Sequence, residues 1–508
     1  MMTLNPRTPV LVGVGQTVSH WDGVDIAAAP SPVGLTVIAS RAALADAGGV
    51  GVADAIDTVV VVRTVADSGG RVLAKSRCAN PPGTLAARLG LKARRHIYSS
   101  VGGNQAQGLV NEFAKVVFEG DAEVVLLSGA EAIAAQKLAL RRGMELDWSE
   151  SVGGDMEDRG FGAPLLSSYE ITNGLGAPTQ TYPAFENALR TRFGLDMQAH
   201  RHLMSEIWAP FSRVAAANPY SQFPVARDVA FLETVSAENY QIADPYLKWH
   251  VAQDAVNLSA AVILTTVGKA RELGIDEAKW IYLHGHAQVT DVLTIERPDF
   301  SRSRAMEWTL QRTLASSGRT IADLSYVDLY SCFPCAVLIA SEAMGLDWRA
   351  TTPTVTGGLP FFGGPGNSYS MHAIATMTER LRADRGKYGL VLANGGFLTK
   401  ESGGIYSTTA PKDWAPVSSA DLQARIDNAQ KPNLLSENIE GTVLTYTVTY
   451  AKGLPQRAFI VAENDQGRVL ARLRNGDTRT LEALLNDDPI GKTWKVTHED
   501  SVNYIGGA

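Results

Sequence analysis

Two thiols three positions apart, Cys332 and Cys335 around Phe333-Pro334, stand where a strand-like run passes into a helix. A helix N-terminus favours thiolate, so this spacing suits dithiol redox chemistry. Zinc would need more soft ligands, and Cys78 is the one remaining thiol. His284 and His286 lie two apart on a strand and share a face, a spacing that can grip a metal, yet no third ligand accompanies them. No metal is expected. Gly13-x-Gly15 has Val18 where a dinucleotide fingerprint needs its third glycine, which removes that reading. Gly102-Gly103 precedes Asn104, whose side chain is suited to cap a helix. Amides at such a start can hold an oxyanion without any side chain.

Those positions need a scaffold. His96 to Val101 reads as a strand ending at the glycine pair, and the helix that follows is apolar nearly all round. Leu109, Val110, Phe113, Ala114, Val117 and Phe118 do not fit one stripe, which predicts a buried helix. Val124 to Leu127 then forms a strand covered on both faces. The figure recurs: Gly363-Gly364 precedes Asn367, a helix carries Met371, Ile374, Met377 and Leu381, and Gly389 to Ala393 is a strand.

The duplication extends upstream. Pro9 to Thr17, the helix Gly34 to Ala47 and the strand Ile56 to Val62 are matched by Ile281 to Thr290, a helix ending Leu314-Ala315-Ser316-Ser317-Gly318, and Ile321 to Tyr330. The second copy is about ten residues shorter before its glycine pair. Two halves, 1–132 and 275–408, are thus joined by 133–274, too long for a linker and read as an inserted loop domain able to cover a site made by both. Residues 409–440 read as a linker with one short helix. Within 441–508, Gly441 to Tyr450 alternates, and further strands at 458–463, 469–473 and 494–498 predict a small antiparallel barrel.

The totals narrow the function. A chain of 508 residues with 45% apolar content can bury a large core, while a net charge of −7 gives no field for nucleic acid. Three cysteines suit a reducing compartment. No apolar run approaches the ~18 residues that span a bilayer, and the start MMTLNPRTPV lacks the parts of a signal peptide, so a cytoplasmic location is expected.

Two stretches, VDLYSCFPCAVLIASEAMGL (327–346) and GGLPFFGGPGN (357–367), resemble the thiolase superfamily and its SCP2-thiolase branch. The resemblance spans roughly residues 9 to 405. It implies an α/β chain with a duplicated, five-layered αβαβα thiolase fold and a loop domain binding coenzyme A thioesters, with no covalently bound cofactor. The C-terminal strands are similar to an OB-like, DUF35-type barrel fused in cis. On this alignment the acyl-carrying cysteine falls on Gly103, the histidine of Gly-His-Pro on Gly364, the His or Asn of the other motif on Tyr330, and the late acid/base residue on Asn394. Cys332 occupies the family's own cysteine position, and thioredoxin-like surroundings are absent. His372, about two turns past Gly364, is read as structural, with residual base function as the alternative.

What the resemblance then implies is an acyl-CoA-binding protein without thiolase activity. The alternatives are a retro-aldol lyase for β-hydroxyacyl-CoA using Tyr330 and amides at Gly103, and an acyltransferase with non-standard residues. A homodimer and a monomer both remain open, since Arg94-Arg95 puts charge on the strand through which thiolases pair. No nucleic acid or membrane partner is expected.

Overall fold

The computed structural model describes residues 4–68 and 77–507; the first three residues of the start read above, and Ala508, lie outside them. The first half contributes β1 (Pro9–Val18), β2 (Thr58–Val62), β3 (Arg95–Tyr98) and β4 (Val124–Ala132). The excursion that follows carries β5 (Glu157–Asp158), β6 (Gln241–Ala243) and β7 (Tyr246–Leu247), and β8 (Asn257–Thr266) comes next. The second half supplies β9 (Ile281–Thr290), β10 (Leu324–Leu329), β11 (Tyr388–Gly395) and β12 (Lys400–Ser407). The C-terminal unit holds β13 (Ile439–Ala451), β14 (Leu454–Glu463), β15 (Arg468–Arg472), β16 (Thr493–Glu499) and β17 (Val502–Gly507).

One sheet runs β10-β11-β12-β9-β1-β8-β4-β2-β3-β5. Its two halves meet at β1, which pairs with β8 from Pro9↔Thr266 to Val18↔Leu258 and with β9 through Val10↔Tyr282 and Leu11↔Ile281. The helices Gln105–Glu119 and Tyr369–Ala383, 15 residues each, share one core with residues of both half-sheets such as Val60, Leu127 and Val391. This explains their apolar circumference, since they form the middle layer. Pro32–Ala47 covers the outer face of the first half, and Arg304–Ser317 with Pro334–Met344 lie outside the second. The result is five layers, αβαβα. Gly15 finds its reason here, because a Cβ would press within 2.6 Å of Ala43 N, and Gly285 in the second half stands equally close to Ser317 N.

Two expectations change. β8 lies between β1 and β4, so the boundary placed at 274 moves back to about 256, and the loop domain ends before this strand. Its run Asn257–Thr266 is apolar on both faces, a central-strand pattern. The second half has no counterpart of β3. Instead the buried Asp328 carboxylate accepts Val355 N at 2.9 Å, Thr356 N at 3.3 Å and both threonine hydroxyls of Thr354 and Thr356. A side chain takes the amides that a strand ladder would otherwise use. No helix among the described residues is long and apolar enough to cross a membrane.

The C-terminal strands close into a five-stranded barrel ordered β13-β14-β15-β17-β16, with β13 pairing at both seams and β15 parallel to β17 at Arg472↔Tyr504. The helix Thr478–Asn486 sits between β15 and β16, giving OB topology. The barrel is fastened to the body: β6 adds to β13 at Thr449↔Ala243, Asn187 Nδ2 donates to Asp244 O and Tyr446 O, and Arg190 pairs with Asp488 at 2.5 Å.

Candidate active site

Four of the five aligned positions come from the ends of the elements just described. β10 delivers Tyr330, whose amide donates to Leu392 O of β11 at 3.1 Å. Asn394 is the last residue but one of β11, the Gly102-Gly103 turn starts the Gln105–Glu119 helix, and the loop after Thr356 carries Gly364. Gly103, Tyr330 and Asn394 meet. A Cβ on Gly103 would overlap Tyr330 Oη and Asn394 O and come within 2.8 Å of Tyr330 Cζ. The phenol therefore occupies the volume into which a side chain at 103 would project.

Tyr330 is buried, with 7% of its surface exposed, and its hydroxyl donates to Gly366 O at 3.5 Å. Burial pushes the phenol far above its ordinary pKa, with Cys332 and Glu401 adding to the effect. It is a proton donor at neutral pH. Asn394 Nδ2 donates to Tyr182 OH at 3.1 Å and approaches Cys332 Sγ at 3.7 Å, while its Oδ1 has no partner among the described residues. The turn before the helix is held from the second half: Gly102 N donates to Asn367 Oδ1 at 3.1 Å, and Ser370 Oγ donates to Gly103 O at 3.2 Å.

The remaining expectations resolve differently. Gly364 faces away, its amide donating to Gln253 O at 2.8 Å, and a Cβ built on it would meet Ala252 and Leu359. His372 lies in the middle layer, with Nδ1 2.9 Å from Gln16 Oε1 and its ring against Phe362, and burial pulls its pKa down to about 3. Its contacts are those of a core side chain. Asn104 does not cap. Its backbone is already helical and its Nδ2 donates to Ser402 Oγ at 3.3 Å, so Gly102 O receives the first helical amide.

The thiol and histidine pairs also have structural partners. Burial pushes Cys332 up to about 12 and Cys335 well above its ordinary range, the reverse of an activated thiolate. His284 Nε2 lies 2.7 Å from Thr409 O, and His286 Nε2 accepts from Val417 N at 3.3 Å beside Trp414, so both pin the chain that crosses β9.

Sequence reasoning missed three groups. Glu401, opposite Asn394 in the β11–β12 ladder, is 1% exposed, and neither carboxyl oxygen has a partner among the described residues. Burial holds it well above the usual carboxylate range, against the pull of Arg297. Glu186 is wholly buried and accepts from Cys335 N at 2.8 Å and Tyr246 OH at 2.7 Å, with His200 Nε2 at 2.6 Å. Lys400 is buried beside the turn. The only signal was polar residues, Lys400-Glu401-Ser402, inside a strand that the flanking register buries on both faces.

Residues 421–501 match the family described as the thiolase-like protein type 1 additional C-terminal domain. The crystal structure of a monomeric SCP2-thiolase-like protein type 1 from Mycobacterium smegmatis is 36% identical, with a TM-score of 0.84 over 99% of this chain and 100% of that one. This chain belongs to the SCP2-thiolase-like proteins of type 1. Two further structures share the fold. An Ltp2-ChsH2(DUF35) aldolase is 20% identical with a TM-score of 0.58, covering 80% of this chain and 99% of that one. An acetyl-CoA acetyltransferase from Syntrophomonas wolfei is 14% identical with the same score, covering 80% and 100%. A search of curated proteins finds no match. Within the type 1 assignment, the barrel is a family module and the glycine at 103 with its tyrosine neighbour is the local feature to explain.

Proposed function

We propose that this SCP2-thiolase-like protein binds acyl-coenzyme A thioesters and does not transfer acyl groups through an enzyme-bound intermediate. The observation that carries this reading is the filled volume at Gly103: the position lacks a nucleophile, and Tyr330 Oη and Asn394 O stand where one would project. Acyl transfer by this fold needs that nucleophile, and removing one member of a unit leaves only residual rate. This also weighs against the acyltransferase reading that the Syntrophomonas likeness suggests. Mixing the protein with acetoacetyl-CoA and coenzyme A should release no acetyl-CoA by mass spectrometry, while calorimetry detects thioester binding. Acetyl-CoA formed at ordinary enzyme rates would sink the proposal.

A second reading, retro-aldol cleavage of a β-hydroxyacyl thioester, is favoured by Tyr330 and Glu401. Burial shifts both upward toward their protonated forms, and both lie at the same strand ends as the Gly103 turn, a suitable setting for charge developing on a thioester oxygen. The Ltp2-ChsH2(DUF35) structure is titled an aldolase, which makes branched β-hydroxyacyl-CoA esters the first candidates. Tyr330→Phe separates the two readings. A lyase would lose its shortened thioester and released carbonyl product with affinity nearly unchanged, whereas a binder would change in affinity alone. Three free thiols fit a cytoplasmic setting for either.

A further inference from the structure

Beside the helix Gln105–Glu119, on the side of its first turn that carries Asn104, lies a cavity of about 620 Å³ separate from the Tyr330 contact. Asn104, Gly108, Glu112 and Lys115 line it along one helix face, β9 and β12 form the floor, and Val417 to Gln423 of the crossing chain form the rim. Lys400 and Ala163 belong to its wall. Lys400 is 6% exposed, and its Nζ lies 3.2 Å from Val101 O and 2.9 Å from Ala163 O. No carboxylate among the described residues reaches it. The charged groups around the cavity are engaged elsewhere: Arg159 grips both oxygens of Glu112 at 2.8 Å, and Lys115 faces Glu119 at 3.8 Å. Glu401, next in the strand, also lines the cavity; burial raises its pKa, and neither of its oxygens has a hydrogen-bond partner among the described residues, Lys400 included.

From this geometry we propose that Lys400 is a nucleophilic amine that forms a Schiff base with a small aldehyde or ketone entering the cavity. A buried ammonium without a counterion is costly, and it carries three N-H donors where the protein offers two acceptors. A neutral amine fits the same surroundings without loss. Its two N-H bonds go to Val101 O and Ala163 O, and its lone pair remains free for attack. Burial shifts Lys400 downward with no opposing charge, in keeping with that state. The lone pair adds to the carbonyl carbon as the C=O electrons move to oxygen. Proton transfer from nitrogen to oxygen gives a carbinolamine, and loss of water leaves the C=N bond. Polar walls from Ser100, Gln105, Gln288 and Ser419 favour a hydroxylated carbonyl compound over a hydrocarbon chain. The site goes beyond thioester binding at Tyr330 and stands or falls independently of it.

The full chain is treated with acetone, and separately with propionaldehyde, at neutral pH in the presence of borohydride, then mapped by peptide mass spectrometry. The expected result is an isopropyl group from acetone, and an n-propyl group from propionaldehyde, on Lys400 in preference to every exposed lysine, lost completely in Lys400→Arg, whose fold is checked by circular dichroism. Lys400→Met serves as the second variant should the arginine not fit. Label confined to exposed lysines, in proportion to their exposure, would overturn the proposal. So would an unlabelled Lys400 with inorganic phosphate raising the melting temperature of the wild type and not of Lys400→Met, which would make it a charged anchor for an anion.

Discussion

At residue 103 the absence of a side chain is a packing requirement, because Tyr330 has taken the space. Restoring the cysteine of active thiolases should therefore fail as a rescue. Gly103→Cys is expected to destabilise by about 1–3 kcal/mol, the usual range for overpacking a close-packed site. Combining it with Tyr330→Ala should recover part of that loss, a coupling read from urea denaturation of the single and double variants. Four buried histidines set the acid limit. Burial pulls His284 and His286 down to about 4 and His250 and His372 to about 3. Unfolded histidines titrate near 6.5, so between there and the folded values the unfolded chain binds more protons. The stabilisation is complete above about 6.5 and disappears as pH falls through that window. Each responding group steepens the loss by about 1.4 kcal/mol per pH unit. Urea midpoints at pH 7, 6 and 5 should fall progressively; a flat profile would show that these rings are protonated in the native state.

Among elements, the Glu186 carboxylate joins three that are distant in sequence: it receives the first amide of the Pro334–Met344 helix, the Tyr246 hydroxyl of β7, and His200 of the helix Met197–Ala217. Glu186→Ala leaves Cys335 N and His200 Nε2 unmet and Tyr246 OH with the longer 3.4 Å contact to Tyr182 O, and should cost about 3–5 kcal/mol. Glu186→Gln, which keeps the shape, should lose less; equal losses would argue that shape has no part and that both carboxyl oxygens are needed as acceptors. Much of this architecture was legible beforehand. β1, β2, β4, β9 and β11 are largely apolar runs, and the repeated glycine pair before each middle-layer helix marked the duplication. The OB-like unit announced itself through alternation in β13. What was not legible followed from three-dimensional company. β8 was assigned to the excursion because a central strand looks the same whichever neighbours it will find. The absence of a counterpart to β3 in the second half depends on Asp328 reaching a segment whose amides could equally have joined a ladder. Lys400 and Glu401 gave no warning, since polar residues in a strand normally mark an exposed face, and Tyr330 aligned with a catalytic position without disclosing that its ring fills the neighbour's space.

For the molecule as a whole, the strand edge through which thiolases pair is already occupied. β5 adds to β3 at Ile97↔Glu157 and Tyr98↔Asp158, tied by ion pairs of Asp158 with Arg63 and Glu157 with Arg95, the latter at 3.3 Å. An edge so covered cannot template a second chain. Light scattering should find a monomer across micromolar concentrations, and replacing residues 155–160 with a Gly-Ser stretch should introduce a concentration-dependent dimer; a dimeric wild type would show that pairing uses another face. The place of β1 in the sheet has a consequence of a different kind. It precedes both of its hydrogen-bonding neighbours, β8 and β9, by more than 230 residues of chain (257 − 18 = 239). At about 5–20 residues per second, the ribosome needs on the order of tens of seconds to produce them. Throughout that interval a strand with apolar side chains on both faces lacks both of its sheet neighbours, so the birth of this protein depends on something shielding Pro9–Val18 until β8 and β9 have been made.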